Sequence, residues 1–174
     1  MSFKTKVPYP QVIRRLLETL NFPITIQSLH KASEILQSRK ADKMRLTSGE
    51  FEGCWDDERI DSKIAKKVLA KHPELQAIVD DLIEEGANYS GLCGRLNNFI
   101  EKVAWLAGNR AWPCGEFSVI PVKSQGGCGI LEIKDKKYLV FKYKQSDSYL
   151  PTRGKFWKSY DSALEMAFDG WSVD

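Results

Sequence analysis

The chain has 174 residues, of which 43% are hydrophobic and 28% are charged, the composition of an ordinary folded protein. That apolar content excludes intrinsic disorder. No run approaches the roughly 18 apolar residues of a membrane span, and the first residues contain no apolar stretch of signal-peptide type. We therefore expect a soluble, cytoplasmic protein with no membrane partner.

The net charge of +3 conceals a segregation of charge along the sequence. Residues 1–48 hold nine basic and three acidic residues, and residues 123–160 hold the same numbers. Residues 49–116 hold eight basic and thirteen acidic residues. Such segregation can orient a partner such as nucleic acid, or it can hold two lobes of one protein together.

Apolar residues at helical spacing predict five helices before residue 110. Pro10 suits the first turn of the first helix, and Thr25 or Ser28 can cap the second through a side-chain oxygen. Gly86 and Gly108 are suitable stops for the last two. The apolar stripes cover residues 12–20, 26–36, 60–69, 75–83 and 92–106.

After Trp112-Pro113 the pattern changes to the alternation that is typical of strands. Short strands are predicted over 117–122, 131–134 and 139–144, with a further one near 155–158. Pro121 suggests that the first is an edge strand, and Asp135-Lys136 can form a hairpin turn. We expect one apolar sheet face, one face that carries lysines, and a final helix capped by Ser159 or Asp161.

These elements predict an α+β fold with two lobes packed as one compact unit. Residues 1–110 are expected to form an N-terminal helical bundle of about five helices. Residues 111–174 are expected to form a small antiparallel sheet of three to four short strands with a C-terminal helix.

The basic, aromatic-rich segment 134–160 gives the main functional hypothesis. Lysine and arginine attract phosphates, and aromatic rings can stack on bases. We therefore expect a non-catalytic, nucleic-acid-associated accessory protein that contacts the phosphate backbone of DNA or RNA. The predicted binding residues are Lys134, Lys136, Lys142, Lys144, Arg153, Lys155, Lys158 and Tyr138. Basic side chains nearer the N-terminus would help, namely Arg14, Arg15, Arg39, Lys40, Lys43 and Arg45.

The order of three strands and a helix, with basic strands and the stretch Ser159-Tyr-Asp-Ser-Ala-Leu164, is similar to the three-stranded DNA-reading modules of AP2 and phage-integrase arm type. The resemblance covers about a quarter of the chain and contains no family-specific motif. It implies DNA as a partner. No individual binding residue is carried over from it.

Two other classes of function stay open. The chain can be a protein-interaction or assembly subunit, in which Trp105, Trp112 and Trp171 either form a patch for a partner or cover the C-terminal module. It can also be a degenerate nuclease of the PD-(D/E)xK kind, because Glu132-Ile-Lys134 matches half of that signature. The second carboxylate of the signature is missing, and Glu116 is the nearest candidate.

No catalytic residue, metal site or cofactor is predicted. The four cysteines, Cys54, Cys93, Cys114 and Cys128, have no zinc-ligand spacing and are expected to be free thiols. His30 and His72 lie far from each other, and no nucleophile motif accompanies either one.

Overall fold

The structure, a computed structural model, describes residues 9–37, 62–108, 120–144 and 152–173. The chain divides into two units, Met1–Ile100 and Glu101–Asp174. This division lies within the last helix of the helical region, whereas the sequence pattern predicts a change of architecture after residue 110. The architecture is α+β, with helices and an antiparallel sheet.

Five α-helices precede the sheet within the described residues, as the apolar spacing predicted. Their arrangement as a bundle stays a prediction. A 3-10 turn at Pro73–Leu75 leads into the fourth helix. The helices are α1 (Tyr9–Thr19), α2 (Ile26–Leu36), α3 (Ser62–Lys71), α4 (Gln76–Glu84) and α5 (Tyr89–Leu106).

The helical unit is held together by the predicted apolar stripes. Thr25 caps α2, because its side chain accepts a hydrogen bond from the amide of Ser28 at 3.1 Å. Tyr89 connects α5 to the end of α2 by donating to the carbonyl of Leu36 at 2.8 Å. Fully buried side chains of this unit include Ile13, Leu16, Leu17, Leu29, Leu36, Leu75, Leu92, Leu96 and Phe99.

The sheet has five strands, so the predicted three to four was too few. The strands are β1 (Ile120–Ser124), β2 (Gly127–Lys134), β3 (Lys137–Lys144), β4 (Thr152–Tyr160) and β5 (Ser172–Val173), in the order β4-β3-β2-β1-β5. The additional strand β5 pairs with Val122 and Lys123 of β1, so β1 is not the edge strand that Pro121 suggested. Pro121 is tolerated because it lies outside this two-residue pairing.

The prediction of one apolar face and one lysine face was wrong. Leu131 pairs with Val140, and Glu132 pairs with Leu139. Directly paired residues lie on the same face of a sheet, so Leu131 shares its face with Val140. Lys142 and Lys144 alternate in step with Val140 along β3 and therefore lie on that face too. Both faces therefore combine apolar and basic side chains.

A short helix, α6 (Ala163–Phe168), follows the sheet. Its cap is Ser162 and not the predicted Ser159 or Asp161, since the Ser162 side chain accepts from the amide of Glu165 at 3.1 Å. Among the helices that the structure describes, none is both long enough and apolar enough to cross a membrane.

Candidate nucleic-acid interface on the C-terminal sheet

The segment after α6 packs against one face of the sheet, and this contact is used to name the two faces; Ile130, on the other face, is also fully buried. Trp171, just after α6, lies against Gly129 and donates a hydrogen bond to Tyr160 at 2.7 Å. Tyr160 pairs with Tyr138, and Gly129 pairs with Val122 and Lys142. We call the face with these residues the helix face, and the other face the opposite face.

The eight predicted binding residues do not lie on one face. Tyr138, Lys142, Lys144 and Lys158 belong to the helix face, whereas Lys134 and Arg153 belong to the opposite face. The remaining two have special positions. Lys136 is in the β2–β3 turn, and Lys155 lies in a register irregularity of β4 where no pairing with β3 is formed.

The β2–β3 turn presents Lys136 at one end of the sheet. Asp135 and Lys136 have φ values of 51° and 63°, and Lys134 pairs with Lys137 across them. Two central residues with positive φ define the tight hairpin turn whose twist matches antiparallel strands. The predicted hairpin is thereby confirmed. From this end to Lys144, β3 spans seven residue steps, or about 23 Å.

Ion pairs separate the cations of β2, β3 and β4 and of the turn between β2 and β3 into two groups. Arg153 binds Glu132, Lys158 binds Asp169, and Lys137 binds Asp161. The Asp161 contact also raises the pKa of Lys137. The second group is exposed and forms no ion pair within the described residues. It comprises Lys134, Lys136, Lys142, Lys144 and Lys155.

Lys158 belongs to a polar network on the helix face. Asp169 accepts hydrogen bonds from Lys158, at 2.8 Å, and from Tyr160. Burial favours the protonated form of Asp169, but these hydrogen bonds and the charge of Lys158 outweigh it and lower the pKa of Asp169. Burial, together with the hydrogen bond to Asp169, raises the pKa of Tyr160. Lys158 is thus engaged in holding the end of α6 to the sheet.

Two tryptophans complete the helix face. The Trp157 and Trp171 rings meet edge to face at 5.1 Å, and Trp171 is buried. Trp171 therefore covers the C-terminal module, one of its two predicted roles. A Cβ at Gly129 would lie 3.0 Å from the carbonyl oxygen of Phe141 and 3.3 Å from the Trp171 ring, so a side chain at this position would force these neighbours to shift. Lys142 lies over the Trp157 ring, with Nζ 5.7 Å from its centroid.

Aromatic side chains also lie on the opposite face, where the sequence analysis did not anticipate them. Phe141 pairs with Phe156, and Tyr143 pairs with Arg153. We call Phe141, Tyr143, Phe156 and Arg153 the aromatic strip. Alternation along β3 indicated that Phe141 and Tyr143 share a face. Phe156 could not be assigned from the sequence, because the irregularities of β4 change which of its residues face each way.

The features behind the alternative hypotheses are only partly described. Glu132 is bound to Arg153, and Glu116 lies outside the described residues, as do Trp112, Arg39, Lys40, Lys43 and Arg45. Arg15 on α1 is paired with Asp81. Within the described residues, no group of three or more His, Cys, Asp or Glu side chains is arranged to hold a metal ion.

Comparison of the chain with family models, with curated proteins and with solved structures finds no match.

Proposed function

We propose that the chain is a nucleic-acid-associated accessory protein whose C-terminal sheet binds the phosphate backbone of DNA or RNA. The observation that carries the proposal is the group of five exposed lysines that have no acidic partner within the described residues. Over residues 120–144 and 152–160 the sheet has nine basic residues and two acidic ones. Such an excess attracts polyanions and makes their binding dependent on salt.

The distribution of the cations supports backbone contact more than the reading of base edges. The exposed lysines are spread over both faces and both ends of the sheet, and lysine presents a flexible point charge. Phosphate contacts made in this way position a nucleic acid without specifying its sequence. We also expect the five helices that the structure describes before the sheet to form the bundle that the sequence predicts.

A salt series of fluorescence anisotropy measurements tests the proposal. Labelled single-stranded and duplex DNA and RNA are titrated with the wild-type protein and with two double variants, Lys142→Ala with Lys144→Ala, and Lys134→Ala with Lys136→Ala. Removal of each lysine that contacts a phosphate should reduce the magnitude of the slope of log K against log salt by about 0.7 on single strands and about 0.9 on duplex.

The matched control is the Lys66→Ala, Lys67→Ala variant, which removes the same charge from exposed positions of α3. Its slope should stay close to the wild-type value. The proposal fails if the wild-type protein binds no nucleic acid at low salt, or if the control reduces the slope as much as the sheet variants do.

A further inference from the structure

The aromatic strip leaves two large rings open to solvent on the opposite face. Phe156 is 58% exposed and Tyr143 is 47% exposed, although both belong to strands that are paired within the sheet. Isolated exposed apolar side chains are common on proteins. Here two aromatic rings occur on neighbouring strands of one face, beside a guanidinium group.

The strip is held in place by its own contacts. Phe156 meets Phe141 edge to face, with ring centroids 5.8 Å apart and planes at 76°. The Arg153 guanidinium carbon lies 4.6 Å from the centroid of the Phe141 ring, and the Arg153 side chain is fixed by Glu132. The Phe141 and Phe156 rings therefore have a restricted set of positions before any ligand arrives, which lowers the entropic cost of binding.

Cations of the neighbouring strands β2 and β4 accompany the strip. Lys134 belongs to the same face and is exposed, and Lys155 directly precedes Phe156. From the Lys134–Lys137 pair to Tyr143 the surface extends over six residue steps, or about 20 Å. An extended polyanion with flat, apolar side groups matches this combination of open rings and positive charge.

We propose that the aromatic strip stacks against the unpaired bases of a single-stranded nucleic acid, with Phe156 and Tyr143 as the stacking rings. This inference rests on the proposed function and names its ligand class. A duplex keeps the faces of its internal bases stacked on each other, so it cannot use the rings in the same way. Arg153 lies over the Phe141 ring, and Phe141 in turn contacts Phe156 edge to face.

The test compares a single-stranded oligodeoxynucleotide with a duplex of the same length over the same series of salt concentrations. Stacking contributes about 1–3 kcal/mol per base, so the Phe156→Leu, Tyr143→Leu variant should lose at least about fivefold in single-strand affinity per ring. Its duplex affinity and its salt slope should stay unchanged. Phe156→Trp, which provides a larger ring, should retain or increase single-strand affinity.

Ile83→Ala is the control, because Ile83 is 56% exposed and lies in the helical unit. It should leave both affinities unchanged. The inference is overturned if the leucine variant binds the single strand as the wild type does, or if wild-type duplex binding is equally strong. In either case the proposal that the sheet binds the phosphate backbone would still hold if affinity for nucleic acid depends on salt and removal of the sheet lysines weakens that dependence. Complete absence of binding would overturn both proposals, and a protein partner would then be sought at the strip.

Discussion

Both faces of the C-terminal sheet contain basic and aromatic side chains, but these side chains have different contacts on the two faces. On the helix face, Lys158 and Tyr160 are joined to Asp169, and Trp171 is buried against Gly129. On the opposite face, Arg153 and Phe141 hold an open ring, that of Phe156, at the surface. A basic, aromatic composition therefore does not show which face of a sheet is available to bind a ligand. That depends on which rings and charges are already satisfied within the fold.

The largest expected effect concerns stability and separates the two faces. Trp171→Ala removes a buried ring and its hydrogen bond to Tyr160, so it should lower the free energy of unfolding by about 3–5 kcal/mol. Phe156→Ala should lower it by about 1 kcal/mol or less, chiefly through the lost contact with Phe141. Urea denaturation measures both. Equal losses of unfolding free energy in the two variants would mean that the opposite face stabilises the fold as much as the helix face does.

A smaller effect concerns the acid stability of the helix face. The pKa of Asp169 is lower in the folded protein than its ordinary value of 3.8. Its contribution is therefore fully present above pH 3.8 and is lost as the pH falls through the lower folded-state pKa. Asp169→Asn should remove this part of the pH dependence, and it should cost about 1 kcal/mol or less at neutral pH because the ion pair with Lys158 is partly exposed.

Denaturation curves of the wild type and the Asp169→Asn variant, measured from neutral pH downward, give the comparison. Asp161→Asn is a suitable control, since Asp161 also pairs with a lysine but at an exposed position beside the hairpin turn. An unchanged acid transition in the Asp169→Asn variant would contradict the role given to this carboxylate.

Much of the fold follows from local patterns in the sequence. The five helices and the hairpin at Asp135-Lys136 were predictable, because helical spacing and a two-residue turn are local signals. Strand β5 was not, since Ser172 and Val173 are too few to show alternation. The cap of α6 was missed by one residue, because Asp161 and Ser162 are both good capping residues.

The candidate site was predictable in composition but not in arrangement. The short turn pairs Lys134 with Lys137, and this register places Leu131 beside Val140 and gives each face a mixture of lysines and apolar residues. Alternation shows which residues of one strand point to the same side, but it does not show which residues of the neighbouring strand lie on that side. In β4, two register shifts place Trp157 against Trp171 and leave Phe156 beside Phe141. Gly154 is a local signal for one of these shifts, because a glycine within a strand often marks a bulge and a Cβ there would lie 2.7 Å from the carbonyl oxygen of Lys142.

The most direct test of the proposed interface is an NMR titration of the full chain with a short single-stranded oligonucleotide, followed through assigned amide and aromatic resonances. We expect the largest shifts at Phe141, Tyr143, Arg153 and Phe156, with smaller ones at the five exposed lysines, Lys134, Lys136, Lys142, Lys144 and Lys155. Resonances of Trp171 and Tyr160 should change little, because these residues are buried on the helix face. Shifts confined to the helix face, or no shifts at all, would contradict a nucleic-acid interface on the opposite face of the sheet.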